Sequence, residues 1–577
     1  MSKRSANKDE TKNLRRVDAL TGRYFIGIDL GTTNSSVAYI DRLSEGRTEI
    51  KIFNVPQTTS PGVCEDLDLL PSFFYFPAGF ELPPGATKLP WSGEPDFIVG
   101  KFAREQGAIV PGRMVSSVKS WLCNARVDRH KKILPWNRDN NMAGFSPVEI
   151  SAYYIAHIKD AWNHRMSNND PDYMFENQEV ILTVPASFDE VARELTLKAA
   201  KDAGLKSVTL LEEPQAAFYY WIYKNKVDWA EKLNDGDVIL ICDVGGGTTD
   251  FTLITASKNS DDFLELKRIA VGDHILLGGD NMDMAIAHHF EKTQMGGQTK
   301  LDALSWTSLC MKCRSLKETL LGESGKNEDH ISITGRGKSV VASTMKFKLT
   351  RAEASNIMLD GFFNEVDFKT IDNKIKSAAG LRESGLPYAD DPSVSNHLAR
   401  FLRRHIGDVS KNKTLSKSHN IEFVHPDKIL FNGGVFKSEA IRTRVMSMVS
   451  RWVGEKIVED GAAIKQNELV ALENSDLDLA VSLGAAYYAY AKSGSGIRIK
   501  SGSARSYYIG VSEDGTQKNA ALPAKSERAV CLVARGMEEG KKSTLENGFQ
   551  LITNQPVQFT LFSSTVNQGT AGEIVEI

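Results

Sequence analysis

Apolar runs that close on an aspartate and resume after glycines and threonines punctuate this chain. The fullest reads Val238-Ile-Leu-Ile-Cys-Asp-Val-Gly-Gly-Gly-Thr-Thr-Asp-Phe-Thr-Leu-Ile254. Near-continuous apolar sequence on both sides of a glycine turn predicts two buried strands joined by a turn. Without Cβ atoms, the N–H groups of such a turn can converge on a phosphate, and the flanking Asp and Thr oxygens suit a hydrated magnesium ion. A tight hairpin with a dispensable turn would read the same way. The pattern recurs, however, at Phe25-Ile-Gly-Ile-Asp-Leu30, followed by Gly31-Thr32-Thr33-Asn34 and a second run through Val37, Tyr39 and Ile40. Two copies in one chain predict two related lobes facing one ligand.

Between and beyond the two copies the pattern alternates strand and helix. Residues 54–99 are rich in proline and glycine and read as a loop-heavy excursion with one short strand at Ser72–Phe76. Ser146-Pro-Val-Glu149 combines an N-cap serine, a first-turn proline and a glutamate at the third position, so a helix starts there. Its apolar face is Ile150, Tyr154, Ile158 and Ala161. Val180–Ala186 is a strand stopped by proline, Glu190–Ala203 a helix, and Val208–Ala217 a strand-to-helix junction with Glu213 at the strand end. In open α/β sheets ligands gather at such ends. Helices are expected through Asp280–Phe290 and Leu304–Leu321, paired strands through Ile331–Leu349, a turn and helix through Gly385–His405, and a helix through Leu477–Tyr490. Lys428-Ile-Leu-Phe-Asn-Gly-Gly-Val435 is a third strand ending in glycines. Gly337-Lys-Ser339 is no phosphate loop of the Walker type, because Ser332 stands where its leading glycine belongs. Lys411–Ser418 reads as a solvated loop, Lys492–Arg505 as a flexible linker, and Ser506–Ile577 as a small β module.

Composition narrows the function classes. At 577 residues the chain holds several lobes. A net charge of −3 makes no electrostatic case for nucleic acid or an anionic membrane, and no apolar run is long enough to span a bilayer. Met1–Leu20 is charged, lacks the apolar region of a secretory signal, and reads as a disordered tail. Six scattered cysteines argue for a reducing compartment, hence a cytoplasmic location. Cys310 and Cys313 form a C-x-x-C pair without the further ligands a zinc site needs, and read as a helix carrying two thiols.

Taken together, Ile28-Asp-Leu-Gly-Thr-Thr33, Val184-Pro-Ala186, Glu213-Pro214, Asp243-Val-Gly-Gly-Gly-Thr248 with Asp250, and Gly433-Gly434 resemble the seventy-kilodalton heat-shock chaperones in order and spacing, over about Tyr24 to Ala491. The resemblance implies an α/β, actin-like two-lobed nucleotide-binding domain at 21–492, a linker at 493–506, and a β-rich module at 507–577 that is at most a partial substrate-binding domain. It implies slow hydrolysis of Mg-ATP to ADP and phosphate, coupled to binding of protein clients, with a J-domain co-chaperone and a nucleotide-exchange factor as partners. By the same resemblance Asp29 and Asp250 hold Mg²⁺ through its waters. Gly31, Thr32 and Thr33 contact the phosphates from one side, and Gly245, Gly246 and Gly247 from the other. Thr248 helps to place the γ-phosphoryl group. Lys119, by sequence pattern alone a surface lysine, becomes the cation at the γ-phosphate, while Glu213 and Asp243 orient the attacking water. Lys317, Gly433, Gly434 and Asp478 belong to the adenosine side, and Pro185 and Arg193 to the switch that reports nucleotide state.

The departures bear on the same assignments. Glu318 and Leu321 stand where the family offers an arginine that stacks on adenine and a serine. Losing that stacking weakens affinity by about 0.5–2 kcal/mol. Gln215 and Thr249 replace a threonine and an aromatic residue, and a Gly/Ser/basic segment replaces the acidic, leucine-rich linker. Leu381–Ser418 reads as an insertion, and no helical lid follows the β module, so the chain is a divergent member or the N-terminal portion of a longer one. The alternatives are a nucleotide-sensing scaffold with little hydrolysis and a small-molecule kinase on the same fold.

Overall fold

The structure, a computed structural model, describes residues 22–44, 49–136, 138, 142–260, 262–295, 301–322, 325–334, 344–368, 371, 386–410, 423–454, 469–474, 476–499, 502–503, 505–511, 528–537, 560–564 and 569–576. The tail at 1–20, Gly337–Ser339 and, within the Leu381–Ser418 insertion, residues 381–385 and 411–418 lie outside the described residues, as do the turns that the sequence predicts at Asp514-Gly515 and Asn547-Gly548.

Two sheets share one topology. In the first, Val208–Glu212, Glu179–Val184, Tyr24–Leu30, Asn34–Asp41 and Lys51–Ile52 are neighbours in that order. In the second, the order is Val470–Leu472, Lys428–Asn432, Val238–Val244, Thr249–Lys258 and Leu264–Val271. Each sheet has an antiparallel hairpin, Tyr24–Leu30 with Asn34–Asp41 or Val238–Val244 with Thr249–Lys258. A parallel strand then pairs with the first arm of each hairpin. The hairpin arms are buried almost throughout, which is why the sequence shows apolar runs and not alternation.

Two helices, Glu213–Lys224 and Ala480–Tyr490, are buried along nearly all their length and share one apolar cluster with residues of both sheets, among them Phe25, Ile40, Ile239 and Ile254. Small residues set their spacing. A Cβ at Gly484 would overlap the carbonyl of Ala216 on the other helix, and one at Gly27 would overlap the Ala480–Tyr490 backbone. The joint between the sheets is therefore tight, and overpacking it is destabilising.

The excursion at 54–99 holds more strand than its prolines suggest. Val55–Ser60 pairs with Val63–Leu67, and Phe74–Tyr75 with Ile98–Val99 and Met114–Val115. Pro56 and Pro71 sit in short strands of small sheets or at a sheet margin, where a missing N–H is tolerated. The capping box at Ser146 forms as expected, Ser146 Oγ accepting from the Glu149 N–H and the Glu149 carboxylate from the Ser146 N–H at 2.7 Å.

After the last long helix, the segment whose composition suggests a flexible linker is anchored over part of its length. The Ile499 N–H donates to Tyr219 Oη (3.0 Å), the Ile497 N–H to Tyr487 Oη (3.3 Å), and Ile499 is buried. Ser506–Val511, Arg528–Val533, Leu561–Ser564 and Ile574–Glu576 then form a four-stranded antiparallel sheet. Among the described residues no helix is long and apolar enough to cross a membrane.

Candidate functional site

The glycine turns of the two hairpins meet. A Cβ at Gly246 would overlap Thr33 Oγ1, and one at Gly247 would overlap the side chains of Ser120 and Thr32. Glycine lets the turns approach without displacing these side chains, so the turn sequences reflect the contact as well as turn geometry. The second turn is held from behind. Its Gly245 and Gly246 carbonyls accept from the Gly279 and Asp280 N–H groups at the start of helix Gly279–Thr293 (3.0 and 2.7 Å). Thr249 fixes the same loop, its hydroxyl donating to the Leu277 carbonyl at 2.8 Å.

Around this meeting point opens a cleft of about 1620 Å³, more room than a small-molecule pocket of about 300–1,000 Å³ requires. Of the residues assigned from the sequence, Asp29, Gly31, Thr32, Thr33, Lys119, Glu213, Asp243, Gly245, Gly246, Thr248, Lys317, Gly433, Gly434 and Asp478 line it. Gly247 and Asp250 stand just behind the lining, Asp250 being register partner to Asp243. Pro185 and Arg193 do not reach the cleft. Arg193 donates to Glu212 Oε1 (3.1 Å) and to the Ala186 and Phe188 carbonyls, and Glu212 immediately precedes Glu213.

Lys119 enters the cleft through a local device. Strand Met114–Val115 leads into Ser117, whose left-handed φ of 53° turns the chain before the short helix Val118–Leu122. That conformation costs a non-glycine residue about 1–2 kcal/mol, and Ser117 Oγ offsets it by donating to Asp280 Oδ2 at 2.7 Å, both residues buried. Asp280 in turn pairs with Arg314, and Arg314 Nε reaches Asp283 at 2.9 Å. Lys119 Nζ pairs with Glu213, the first residue of its helix.

Charge is unevenly distributed here. Glu213, Asp243 and Asp250 are buried and Asp29 half-buried, all in the company of Lys119. Burial pushes the Asp29 carboxyl up to about 7 although Lys119 and the Thr183 hydroxyl draw it down. Asp243 is raised well above the carboxylate range, first by burial and then by the negative charges of Glu213 and Asp250. Burial also raises Glu213 and Asp250 against the pull of Lys119. For Lys119 burial acts downward, but Glu213, Asp29 and Asp243 outweigh it and hold the ammonium charged. Four carboxylates against one ammonium is a donor set short of positive charge. Among the described residues no group of His, Cys, Asp or Glu converges closely enough to grip a metal directly. A hard divalent cation held through its own waters fits this arrangement.

On the far wall, Lys317 Nζ donates to the Gly279 carbonyl (2.8 Å) and pairs with Asp283 (2.6 Å), while Glu318 and Leu321 face the cleft beside it. Gly433, at φ 88°, lies so close to Val244 O and Asp243 Oδ1 that no side chain fits there. Asp478 pairs with Lys437. Sequence reasoning missed Asn432, whose amide donates to Asp243 Oδ2 at 3.0 Å. It also missed the Ser117–Asp280–Arg314 network. For Asn432 the signal was present: a polar residue closes an apolar strand just where the aspartates close theirs.

Cys310 and Cys313 are buried thiols on helix Ala303–Leu321 that are not joined in a disulfide and do not line the cleft.

Comparison with known proteins bears on this geometry. A family model described as "Hsp70 protein" matches residues 91–380, half of the chain. The "Chaperone protein HscA homolog" of Pseudoalteromonas atlantica (strain T6c / ATCC BAA-1087) is 29% identical over 307 residues, covering 51% of this chain and 41% of that protein. The protein of the same description from Actinobacillus pleuropneumoniae serotype 5b (strain L20) is 29% identical over 279 residues, covering 46% and 37%. The chain thus spans about two fifths of the length of these curated relatives.

Proposed function

The chain belongs to the Hsp70 family, and from that premise we propose that it is a chaperone-type ATPase that binds ATP and ADP with Mg²⁺ between two actin-like lobes and hydrolyses ATP slowly. The observation that carries this reading is the meeting of the two glycine turns beside the Lys119–Glu213 pair. The mixed α/β architecture with two sheets of one topology fits an actin-like ATPase fold.

In this reading the Thr32 and Thr33 hydroxyls and the Gly246 and Gly247 N–H groups cradle the phosphates from opposite sides, while the Gly245 N–H, donating to the Thr248 carbonyl at 3.0 Å, closes the turn. Lys119 places its charge at the γ-phosphoryl group, where negative charge is held in the transition state. Glu213 fixes that ammonium, and Glu213 and Asp243 orient the attacking water, since phosphoryl transfer rests on positioning and charge stabilisation. Asp243, buried among like charges, holds a proton readily and is suited to take one from that water. Asp29 and Asp250 are the residues that would hold Mg²⁺ through water, and the ion when bound neutralises phosphate charge.

Residues 21–492 then form the nucleotide-binding domain and 507–577 a β module that takes part in binding protein clients, with 493–506 between them. Three contacts, two to the intervening segment and one to the β module, favour coupling between these parts. Arg505 donates to the Ser187 carbonyl (3.2 Å), Tyr507 to Glu190 (2.6 Å), and Arg268, which also holds Glu212, to the Gly502 carbonyl (2.6 Å). All three lie beside Pro185 and Arg193. A J-domain partner and an exchange factor follow from the family resemblance.

Single-turnover hydrolysis of ATP with Mg²⁺ tests the reading. Wild-type protein is expected to release phosphate, and Lys119→Ala to bind nucleotide but release almost none. Equal rates in the two proteins would refute it. Glu318 and Leu321 on the cleft wall favour a second reading, a nucleotide-sensing scaffold, which requires a wild type that binds ATP and leaves it intact.

A further inference from the structure

Strand Lys428–Asn432 runs parallel to Val238–Val244 with Asn432 in register with Asp243. Its other interior residues, Ile429, Leu430 and Phe431, are buried apolar side chains. Asn432 is as buried as they are, at 2% exposure, yet carries an amide. The Nδ2 group donates to Asp243 Oδ2 at 3.0 Å, and Oδ1 has no hydrogen-bond partner although it belongs to a residue lining the cleft. Against an ionised Asp243 the amide must present Nδ2, since the reverse flip would set an amide oxygen against a carboxylate. Gly433 locks the arrangement, because its left-handed turn presses the chain against Val244 and Asp243 with no space for a side chain.

The first sheet offers a control within the same molecule. There the parallel strand Glu179–Val184 supplies Thr183, whose hydroxyl donates to Asp29 Oδ1 at 3.1 Å. Each hairpin aspartate is thus held by one donor from the parallel strand beside it. A hydroxyl suffices for that task. The amide in the second sheet carries a further atom, a buried acceptor without a partner on a residue that lines the cleft, and such an acceptor is costly unless a ligand or water completes it.

We propose that Asn432 is a positioning residue for ATP hydrolysis, holding the Asp243 carboxylate through Nδ2 and accepting a hydrogen bond from the attacking water through Oδ1. This rests on the ATPase reading above. A water between Oδ1 and the carboxylate gives one proton to each as a hydrogen-bond donor and turns a lone pair toward the γ-phosphorus. As the new P–O bond forms, the bond to the bridging oxygen breaks. ADP leaves with that electron pair, and the proton pointing at Asp243 passes to its carboxylate.

The test separates hydrolysis from binding. Asn432→Leu keeps the number of side-chain heavy atoms and the branching at Cγ and removes both polar atoms. Its single-turnover hydrolysis rate is expected to fall about tenfold or more, with the Kd for ADP changing less than about twofold. Asn432→Ser, which retains a hydroxyl able to donate and accept, should recover part of the rate. A merely structural role would lower Tm and nucleotide affinity without this split. If Asn432→Leu does not fold, Asn432→Ala carries the same expectation. A variant that hydrolyses at the wild-type rate, or loses rate only in step with affinity, overturns the proposal and leaves the ATPase reading standing. A wild type that binds but does not hydrolyse ATP removes that reading and the proposal with it.

Discussion

The two hairpins place an aspartate at the same point of the same strand, yet they equip it differently. Asp29 lies close to Lys119, is held by the Thr183 hydroxyl, and is followed by a turn whose side chains, Thr32 and Thr33, are hydroxylated. Asp243 is held by an amide, feels Lys119 least among its neighbours, and is followed by a turn of three glycines that presents only backbone. One half of the cleft therefore offers side-chain oxygens and the other N–H groups, and the two sets fit together because the glycines leave space for the threonines. The lesson is that a duplicated sheet need not give duplicated chemistry. Identical topology fixes where the aspartates stand, and the residues around each decide what it does.

The largest expected effect comes from Lys119, the cation paired with Glu213 where the halves meet. Lys119→Ala should lower hydrolysis by about 10²–10³-fold, the scale of losing one preorganised electrostatic contact, measured in single turnover. Replacing it also strands Glu213 as a buried carboxylate. A loss confined to affinity would mean that the lysine belongs to neither half.

Next come the turns themselves. A Cβ at Gly31 would overlap the Asn34 carbonyl, which is backbone and cannot give, whereas at Gly246 it would meet the Thr33 hydroxyl, which can rotate. Gly31→Ala should cost about 1–3 kcal/mol of stability. Gly246→Ala should cost less and should be relieved by adding Thr33→Ala. Denaturant melts of the four proteins check this, and equal costs at the two glycines would break the asymmetry.

Smaller, and opposite in sign, is the effect of neutralising each aspartate in nucleotide-free protein. Both carboxyls titrate above their unfolded value in the fold, so below that value their charge costs nothing, and the cost grows as pH rises. For Asp29 it is complete above about 7. At pH 7 Asp29→Asn and Asp243→Asn should both raise Tm, by a stability gain on the order of 1 kcal/mol or more. At pH 4 the gain should vanish. A loss of Tm at pH 7 would mean that each charge is compensated within the fold.

Much of this site could be read in the sequence, and the reason is local. An apolar run, an aspartate and a glycine turn are contiguous, so the strands, the turns and Asp29, Asp243 and Asp250 follow from short-range pattern. Lys119 was different: one lysine in a semi-apolar stretch looks like surface, and only the family resemblance assigned it. What brings it inward is the left-handed turn at Ser117 and its bond to Asp280, far along the chain. Asn432 stood in plain sight, but its meaning depends on a parallel register with Asp243 that no local pattern encodes. The linker misled for the converse reason. Glycines and serines flank Ile497 and Ile499, and average composition hid two anchored residues. In residues 54–99, prolines counted as breakers sit where short strands tolerate them.

The central claim is that phosphates bind between the two glycine turns, and a structure with Mg-ADP tests it most directly. On binding, the turns are expected to part, Gly246 to move off Thr33, and the β-phosphate to lie between the Thr32–Thr33 and Gly245–Gly247 backbones with Lys119 beside the vacant γ position. A nucleotide bound elsewhere in the cleft, with Gly246 still packed on Thr33, would contradict it.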